Sequence, residues 1–248
     1  MEKRALILGN WKMNGSRAKL EELATIARHA AVGRDVEVGM ALPATLIAAV
    51  AGTDSIAIGA QDLHFADAGA HTGSLSGALL REAGARFTLI GHSERRTYDG
   101  DTDVMVAAKI KAAWRHNLRA VVCVGESTEQ RAAGLGEASV IDQLAAIPSP
   151  LVGDVVIAYE PVWCIGADAA ATPADIGAML RTIRTALQDR FGDEGEGIPL
   201  LYGGAVDPAN AAAILGMAEV DGVLAGRASL DAAAFLRLIE ACPIASAA

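Results

Sequence analysis

The stretch Val155-Val156-Ile157-Ala158-Tyr159-Glu160-Pro161-Val162-Trp163 decides how this chain is read. An apolar run from Val155 to Tyr159 ends on a carboxylate, and a proline follows at once. Proline has no N–H to give to a sheet ladder, so the strand stops there and leaves Glu160 at its tip. An ionised carboxylate is costly to bury without a partner, so one that closes a fully apolar strand needs a reason. Two readings stand: a salt-bridged strand end, and a general base at the mouth of a barrel.

Outward from that stretch, short apolar runs recur at residues 5–8, 36–42, 56–60, 87–90, 120–124, 155–159, 198–202 and 222–225. Most are apolar at successive positions, the pattern of strands covered on both faces, as in a parallel sheet. Segments of helical period lie between them. Leu20, Leu23, Ile26 and Ala27 make an apolar stripe after Ser16, and Val104, Ala107, Ala108, Lys111 and Ala112 carry another that ends at His116-Asn117. Thr172 as N-cap, Pro173 at the first position and Asp175 at the third form a strong helix start. Asp207-Pro208 repeats the cap-plus-proline device. With no linker or break in composition, residues 1–248 are expected to form a single α/β domain, a closed (β/α)₈ barrel; an open doubly wound sheet is the alternative.

In such barrels the reactive groups stand at the carboxyl ends of the strands. The residues that follow the runs are Gly9-Asn10-Trp11-Lys12, Gln61-Asp62, Gly91-His92-Ser93-Glu94-Arg95-Arg96, Gly125-Glu126, Glu160, Gly203-Gly204 and Gly226-Arg227. An amide, a lysine, an imidazole, a carboxylate and glycine turns on one rim favour acid/base chemistry on a phosphorylated substrate. Of the five histidines only His92 directly follows a strand, and Ser93-Glu94-Arg95 can open a helical turn beyond it. A helix N-terminus disfavours imidazolium, so a neutral ring that donates a hydrogen bond is expected, against the alternative of a satisfied core histidine. Lys12 reads as an inward ammonium or as an ordinary surface lysine. Gly203-Gly204 and the turn after Gly226 let backbone N–H groups approach an anion. The charge runs Glu2-Lys3-Arg4 and 193–196 read as solvated.

The formal net charge of −9 argues against a nucleic-acid partner, because phosphate backbones select basic surfaces. It leaves room for a small anion in a locally positive pocket. Hydrophobic residues make up 52% of the 248, ample for a core. Cys123, Cys164 and Cys242 are too few and scattered for a disulfide framework or a zinc site, so buried thiols in a reducing cytoplasm are expected. The apolar run at 5–8 is too short for a signal peptide, and no segment approaches the roughly 18 apolar residues of a membrane span.

Gly9-Asn10-Trp11-Lys12-Met13-Asn14, Ile90-Gly91-His92-Ser93-Glu94-Arg95-Arg96, Cys123-Val124-Gly125-Glu126, Tyr159-Glu160-Pro161-Val162-Trp163 and Tyr202-Gly203-Gly204 resemble the triosephosphate isomerases, in register over essentially the whole chain. The resemblance implies interconversion of dihydroxyacetone phosphate and glyceraldehyde 3-phosphate, with no metal or organic cofactor. This family is itself a standard case of a carboxylate base beside a neutral histidine, so that assignment is inherited. It makes Glu160 the base and His92 the electrophile, with Lys12 and Asn10 at the substrate oxygen and Glu94 behind Lys12. Ser93 is implied to bond Glu160 in the unliganded site. Residues 161–172 become a lid, with Trp163 and Glu126 partners in its open state and Tyr202 near its far hinge at Ala171. Phosphate is implied to rest on backbone N–H groups of Gly166, Ala205, Gly226 and Arg227.

Two departures bear on that lid. The family commonly reads Ala-Ile-Gly-Thr-Gly-Lys-Thr-Ala where this chain has Cys164-Ile165-Gly166-Ala167-Asp168-Ala169-Ala170-Ala171, and a serine where Ala205 stands. A closed state weaker by about one hydrogen bond, roughly 0.5–1.5 kcal/mol, is expected. Arg227 replaces a small residue, its guanidinium either solvated or on phosphate. The loop from Gln61 to Ser76 is long for a βα connection. It reads as a mobile surface loop or, by resemblance, as an arm that enters a second subunit near Lys12 and Met13 to make a homodimer. Ser74 stands where the family often has glutamate. A paralogous isomerase of four-carbon sugar phosphates and a non-catalytic binding protein on the same barrel are the competing functions.

Overall fold

Strands form where the apolar runs predict them, and helices fill the gaps in strict alternation. In the computed structural model, which describes residues 4–30, 36–53, 55–165 and 171–242, the order is β1 (Ala5–Asn10), α1 (Leu20–Ala30), β2 (Val36–Leu42), α2 (Ala44–Ile47), β3 (Ala57–Ala60), α3 (Gly77–Glu82), β4 (Phe87–Ile90), α4 (Ser93–Tyr98), α5 (Asp103–Arg115), β5 (Arg119–Val124), α6 (Thr128–Ala132), α7 (Gly136–Leu144), β6 (Val155–Tyr159), α8 (Pro173–Phe191), α9 (Asp193–Gly197), β7 (Leu200–Tyr202), α10 (Ala211–Leu215), β8 (Gly222–Ala225) and α11 (Ala232–Glu240). The strands pair in parallel in sequence order, and β8 closes on β1 with Leu6 opposite Gly222. The closed barrel stands and the open sheet does not.

Two apolar layers follow from the period of two along each strand. Leu6, Leu8, Leu89, Val121, Cys123, Val156 and Ala158 fill the barrel, while Ile7, Ile90, Val122, Val124, Ile157 and Tyr159 pack against the helices. On β6 the inward row is Val156, Ala158 and, one step on, Glu160. On β1 it is Leu6, Leu8 and Asn10. Alternation thus delivers both polar side chains to the barrel mouth.

Helix starts follow their chemistry. Thr172 and Asp175 form the expected capping box on α8, with Pro173 in its first turn. The stripe on α1 is buried at Leu23, Ile26 and Ala27. Two expectations need correction. On α5 Ala112 is buried as expected, but the rest of the buried face is Val106, Lys109, Ile110, Ala113 and Trp114, whereas Val104 and Lys111 are exposed. The helix is turned because Lys109 can be buried: its Nζ lies 2.7 Å from both Asp62 Oδ1 and Asp101 Oδ2, which satisfies the ammonium. Asp207-Pro208 does not begin a helix at Pro208. Asp207 Oδ1 accepts from Ala209 and Asn210 N–H in a preceding turn, and α10 starts at Ala211. Strands β3 and β7 begin one and two residues later than their apolar runs. Residues Glu2 and Lys3 of the first charge run lie outside the described residues, and the second forms the short, largely exposed α9.

Candidate active site

Glu160 is 3% exposed and both its oxygens are bonded. Oε2 accepts the Ser93 backbone N–H at 2.9 Å, and Oε1 lies 3.0 Å from His92 Nε2. Burial pushes its carboxyl up, but His92, the Ser93 N–H and the Lys12 ammonium outweigh that and hold the pKa below the ordinary glutamate value. The group is therefore ionised at neutral pH. Behind it Gly203 leaves the space: a Cβ there would stand 3.0 Å from Glu160 Cγ.

Gly91, at φ +68°, breaks the alternation at the end of β4 and turns the chain into α4, whose N-cap is His92. His92 Nδ1 accepts the Glu94 backbone N–H at 3.2 Å. A nitrogen that accepts an N–H carries no proton of its own, so the proton sits on Nε2 and points at Glu160. Burial disfavours the imidazolium, and the Glu160 charge more than offsets this and raises the ring's pKa. That upward pull lasts only while carboxylate and ring remain in contact; the Glu94 N–H opposes the second proton throughout.

Lys12 sits at φ +50°, a left-handed conformation rare for a residue with a side chain. It is held there. Its N–H donates to Asn10 Oδ1 at 2.9 Å, Gln61 Nε2 donates to its carbonyl at 2.8 Å, and Nζ pairs with Glu94 Oε1 at 2.7 Å. A Cβ at Gly226 would meet Lys12 Cε at 3.5 Å, so the turn after β8 lies directly beside the lysine. Trp11 Nε1 donates to Ser229 O at 2.9 Å and fastens that turn to the end of β1. Arg227 opens a short 3₁₀ turn and is exposed, as is Ala205.

Beside this centre, Glu126 is fully buried and its Oε1 accepts from Trp163 Nε1 at 2.7 Å and Tyr159 Oη at 3.0 Å. The Arg131 guanidinium lies 4.1 Å over the Trp163 ring and pairs with Asp175 at 2.6 Å, which ties this cluster to the cap of α8. Among the described residues the Tyr202 hydroxyl is buried without a hydrogen-bond partner, with the Cys164 thiol and the Ala171 N–H its polar neighbours. Gly166 and residues 167–170 lie outside the described residues.

Glu160, His92, Ser93, Glu94, Lys12 and Asn10 thus meet, as do Glu126 and Trp163. Sequence reasoning gave no role to Gln61, although it follows an apolar run on the rim, nor to Arg131, for which the sequence carries no comparable signal. Ser93 bonds Glu160 through its backbone and not its hydroxyl. Cys123, Cys164 and Cys242 are all buried. Among the described residues no cluster of His, Cys, Asp and Glu is disposed to hold a metal ion.

A closed parallel barrel with a carboxylate, an imidazole and an ammonium on its carboxyl rim defines a (β/α)₈-barrel isomerase. Residues 5–242 match the family model of triosephosphate isomerase, and the chain belongs to that family. It is 50% identical over 247 residues to a triosephosphate isomerase of Afipia carboxidovorans, covering 97% of this chain and 98% of that protein. A triosephosphate isomerase of Xanthobacter flavus is 49% identical over 246 residues, with coverage of 97% and 98%. The crystal structure of triosephosphate isomerase from Bartonella henselae superposes with a TM-score of 0.89 at 42% identity, over 96% of this chain and 98% of that one.

Proposed function

We propose that this enzyme interconverts dihydroxyacetone phosphate and D-glyceraldehyde 3-phosphate, as in glycolysis and gluconeogenesis, by proton transfer through an enediolate. The observation that carries the reading is the convergence of an ionised Glu160, a His92 with its proton on Nε2 and the Lys12 ammonium, all from different strand ends. Glu160 takes the proton from the carbon next to the carbonyl and returns it to the neighbouring carbon. Charge develops on the substrate oxygens, and His92 Nε2–H, Lys12 and Asn10 are donors already in place for it. Because Glu160 Oε1 occupies the His92 donor before substrate arrives, substrate oxygen must displace the carboxylate, which frees it to act as base. Glu94 keeps the Lys12 ammonium in position.

Backbone N–H groups of Ala205, Gly226 and Arg227, with Gly166 of the lid, are assigned to the phosphate. The closeness of Gly226 to Lys12 supports this, since it sets an anion-accepting turn beside the cation. Trp163 and Glu126 hold the unliganded lid, and Tyr202 serves its far hinge. The loop from Gln61 to Ser76 is assigned to a homodimer contact. Met13 is 99% exposed and follows Lys12, whose carbonyl Gln61 bonds, while Phe65, Leu75 and Leu79 on or beside the loop also expose apolar surface. A cytoplasmic location belongs to the same reading, and no helix among the described residues is long and apolar enough to cross a membrane.

Purified protein should turn over the three-carbon phosphates in both directions in a coupled assay, in preference to four-carbon ketose phosphates. Absence of triose turnover, or a preference for the longer substrate, refutes the assignment. Sedimentation of a fully active monomer refutes the dimer.

A further inference from the structure

His92 is held on both sides by one residue that the mechanism above does not use. Arg96, in α4, donates its backbone N–H to His92 O at 3.0 Å and its side-chain Nε to Gly91 O at 2.9 Å. Those two carbonyls belong to the peptide planes immediately before and after the His92 Cα. Fixing both planes fixes the backbone of His92, at φ −51° and ψ 143°, and so the root from which its ring projects. The restraint falls where the chain most needs one. Gly91 at φ +68° has no side chain to hold the turn, and α4 has only six residues, too few to be stable by itself.

The guanidinium lies directly against Gly91. A Cβ on that glycine would stand 3.1 Å from Arg96 Nη2 and 3.3 Å from Nε. Nη1 pairs with Asp103 Oδ1 at 2.7 Å, at the first residue of α5, so the arginine spans from the strand end to the next helix. Among the described residues Nη2 is buried with no acceptor. A lysine here would leave no such orphan, but its single ammonium lacks the planar fork that bonds Gly91 O and Asp103 together. The orphaned N–H is thus the cost of a placement dictated by the Gly91 carbonyl.

We infer that Arg96 is a positioning residue for the isomerisation: it aims the His92 Nε2–H at the reacting oxygen without touching substrate. The inference rests on the isomerase reading above. The ring is otherwise steadied by the bond from Glu94 N–H to Nδ1 at 3.2 Å and by Glu160, which leaves when substrate binds. During the reaction the Glu94 N–H bond and the backbone clamp are therefore what remain.

The test compares the full-length wild type with Arg96→Lys and Asp103→Asn by thermal melting, steady-state kinetics and ¹⁵N NMR of the His92 ring without ligand. Arg96→Lys should fold and lose about 10²-fold in kcat with KM unchanged, the scale of a misplacement of about 1 Å. Its ring should shift from the single Nε2–H form to a mixture of tautomers. Asp103→Asn, which frees only the far end of the guanidinium, should show the same changes in smaller measure. Wild-type kcat and wild-type ring signals in Arg96→Lys overturn the inference, as does a melting temperature that drops with kcat per folded molecule intact. Should Arg96→Lys fail to fold, wild-type kcat and ring signals in Asp103→Asn overturn it. The ring signals are read without substrate, so they judge the clamp even where the wild type shows no triose turnover, an outcome that defeats the isomerase reading alone.

Discussion

Replacing Glu160 with glutamine tests the centre at the level of single hydrogen atoms. In the unliganded site two N–H donors face the carboxylate, the Ser93 N–H at 2.9 Å and the His92 Nε2–H at 3.0 Å. An amide offers one acceptor oxygen and one NH₂, so one of the two donors must then face another donor. His92 cannot escape by moving its proton to Nδ1, because that nitrogen already accepts from the Glu94 N–H. One buried donor is left unpaired, at about 1–3 kcal/mol. Loss of the buried charge offsets part of this, so a net destabilisation of about 1 kcal/mol, or roughly 2–4 °C in Tm for a chain of this size, is expected. Turnover should fall by about 10²–10⁴-fold, the usual share of a general base. The pH response follows with its sign. The folded pKa of Glu160 lies below the unfolded value, so its stabilisation is present above the unfolded pKa and is lost as pH falls through the folded one. Glu160→Gln should abolish that acid limb and, with the neighbouring charge gone, lower the His92 pKa. Melting curves across pH and ¹⁵N titration of the ring measure both. A His92 pKa unchanged or higher in the variant refutes the reasoning.

Ala205→Ser should tighten a transition-state analogue such as a phosphorylated hydroxamate by about 0.5–1.5 kcal/mol, through one added lid hydrogen bond; unchanged or weaker binding by calorimetry counts against that account. Arg227 is exposed, so Arg227→Gly should leave KM unaltered, and a marked rise would assign its guanidinium to the phosphate. Lys109→Met strands Asp101 and takes the buried ammonium from Asp62, which keeps Arg95 at 3.0 Å, and should cost about 3–5 kcal/mol by denaturant unfolding. Burial already raises the Asp62 pKa against the pull of Lys109, so removing the lysine raises it further. The variant should accordingly be most stable in acid and lose stability as pH rises through that folded pKa; a loss independent of pH would contradict this.

The rim was legible because each polar residue follows an apolar run, and a parallel barrel gathers strand ends whatever lies between them. Glu160 announced itself through the proline after it, and α8 through its cap. The face of α5 was not legible. Lys109 reads as a solvent residue until Asp62 and Asp101 are brought to it from other parts of the chain, and then burying it sets the rotation of the whole helix. The roles of Gln61, Arg96 and Arg131 were not legible for the same reason, since they lie in the carbonyls and rings these side chains meet.

By itself the sequence determined the succession of strands and helices and the kinds of side chain that stand at the strand ends. Those are local matters of period, capping and strand ends. Only the tertiary structure decided which nitrogen of His92 holds the proton, that both Glu160 oxygens are engaged before substrate binds, and that Lys12 is kept in a left-handed conformation. Each depends on hydrogen bonds between loops from separate strands, whose approach to within about 3 Å is set by closure of the sheet and by no neighbour in the chain.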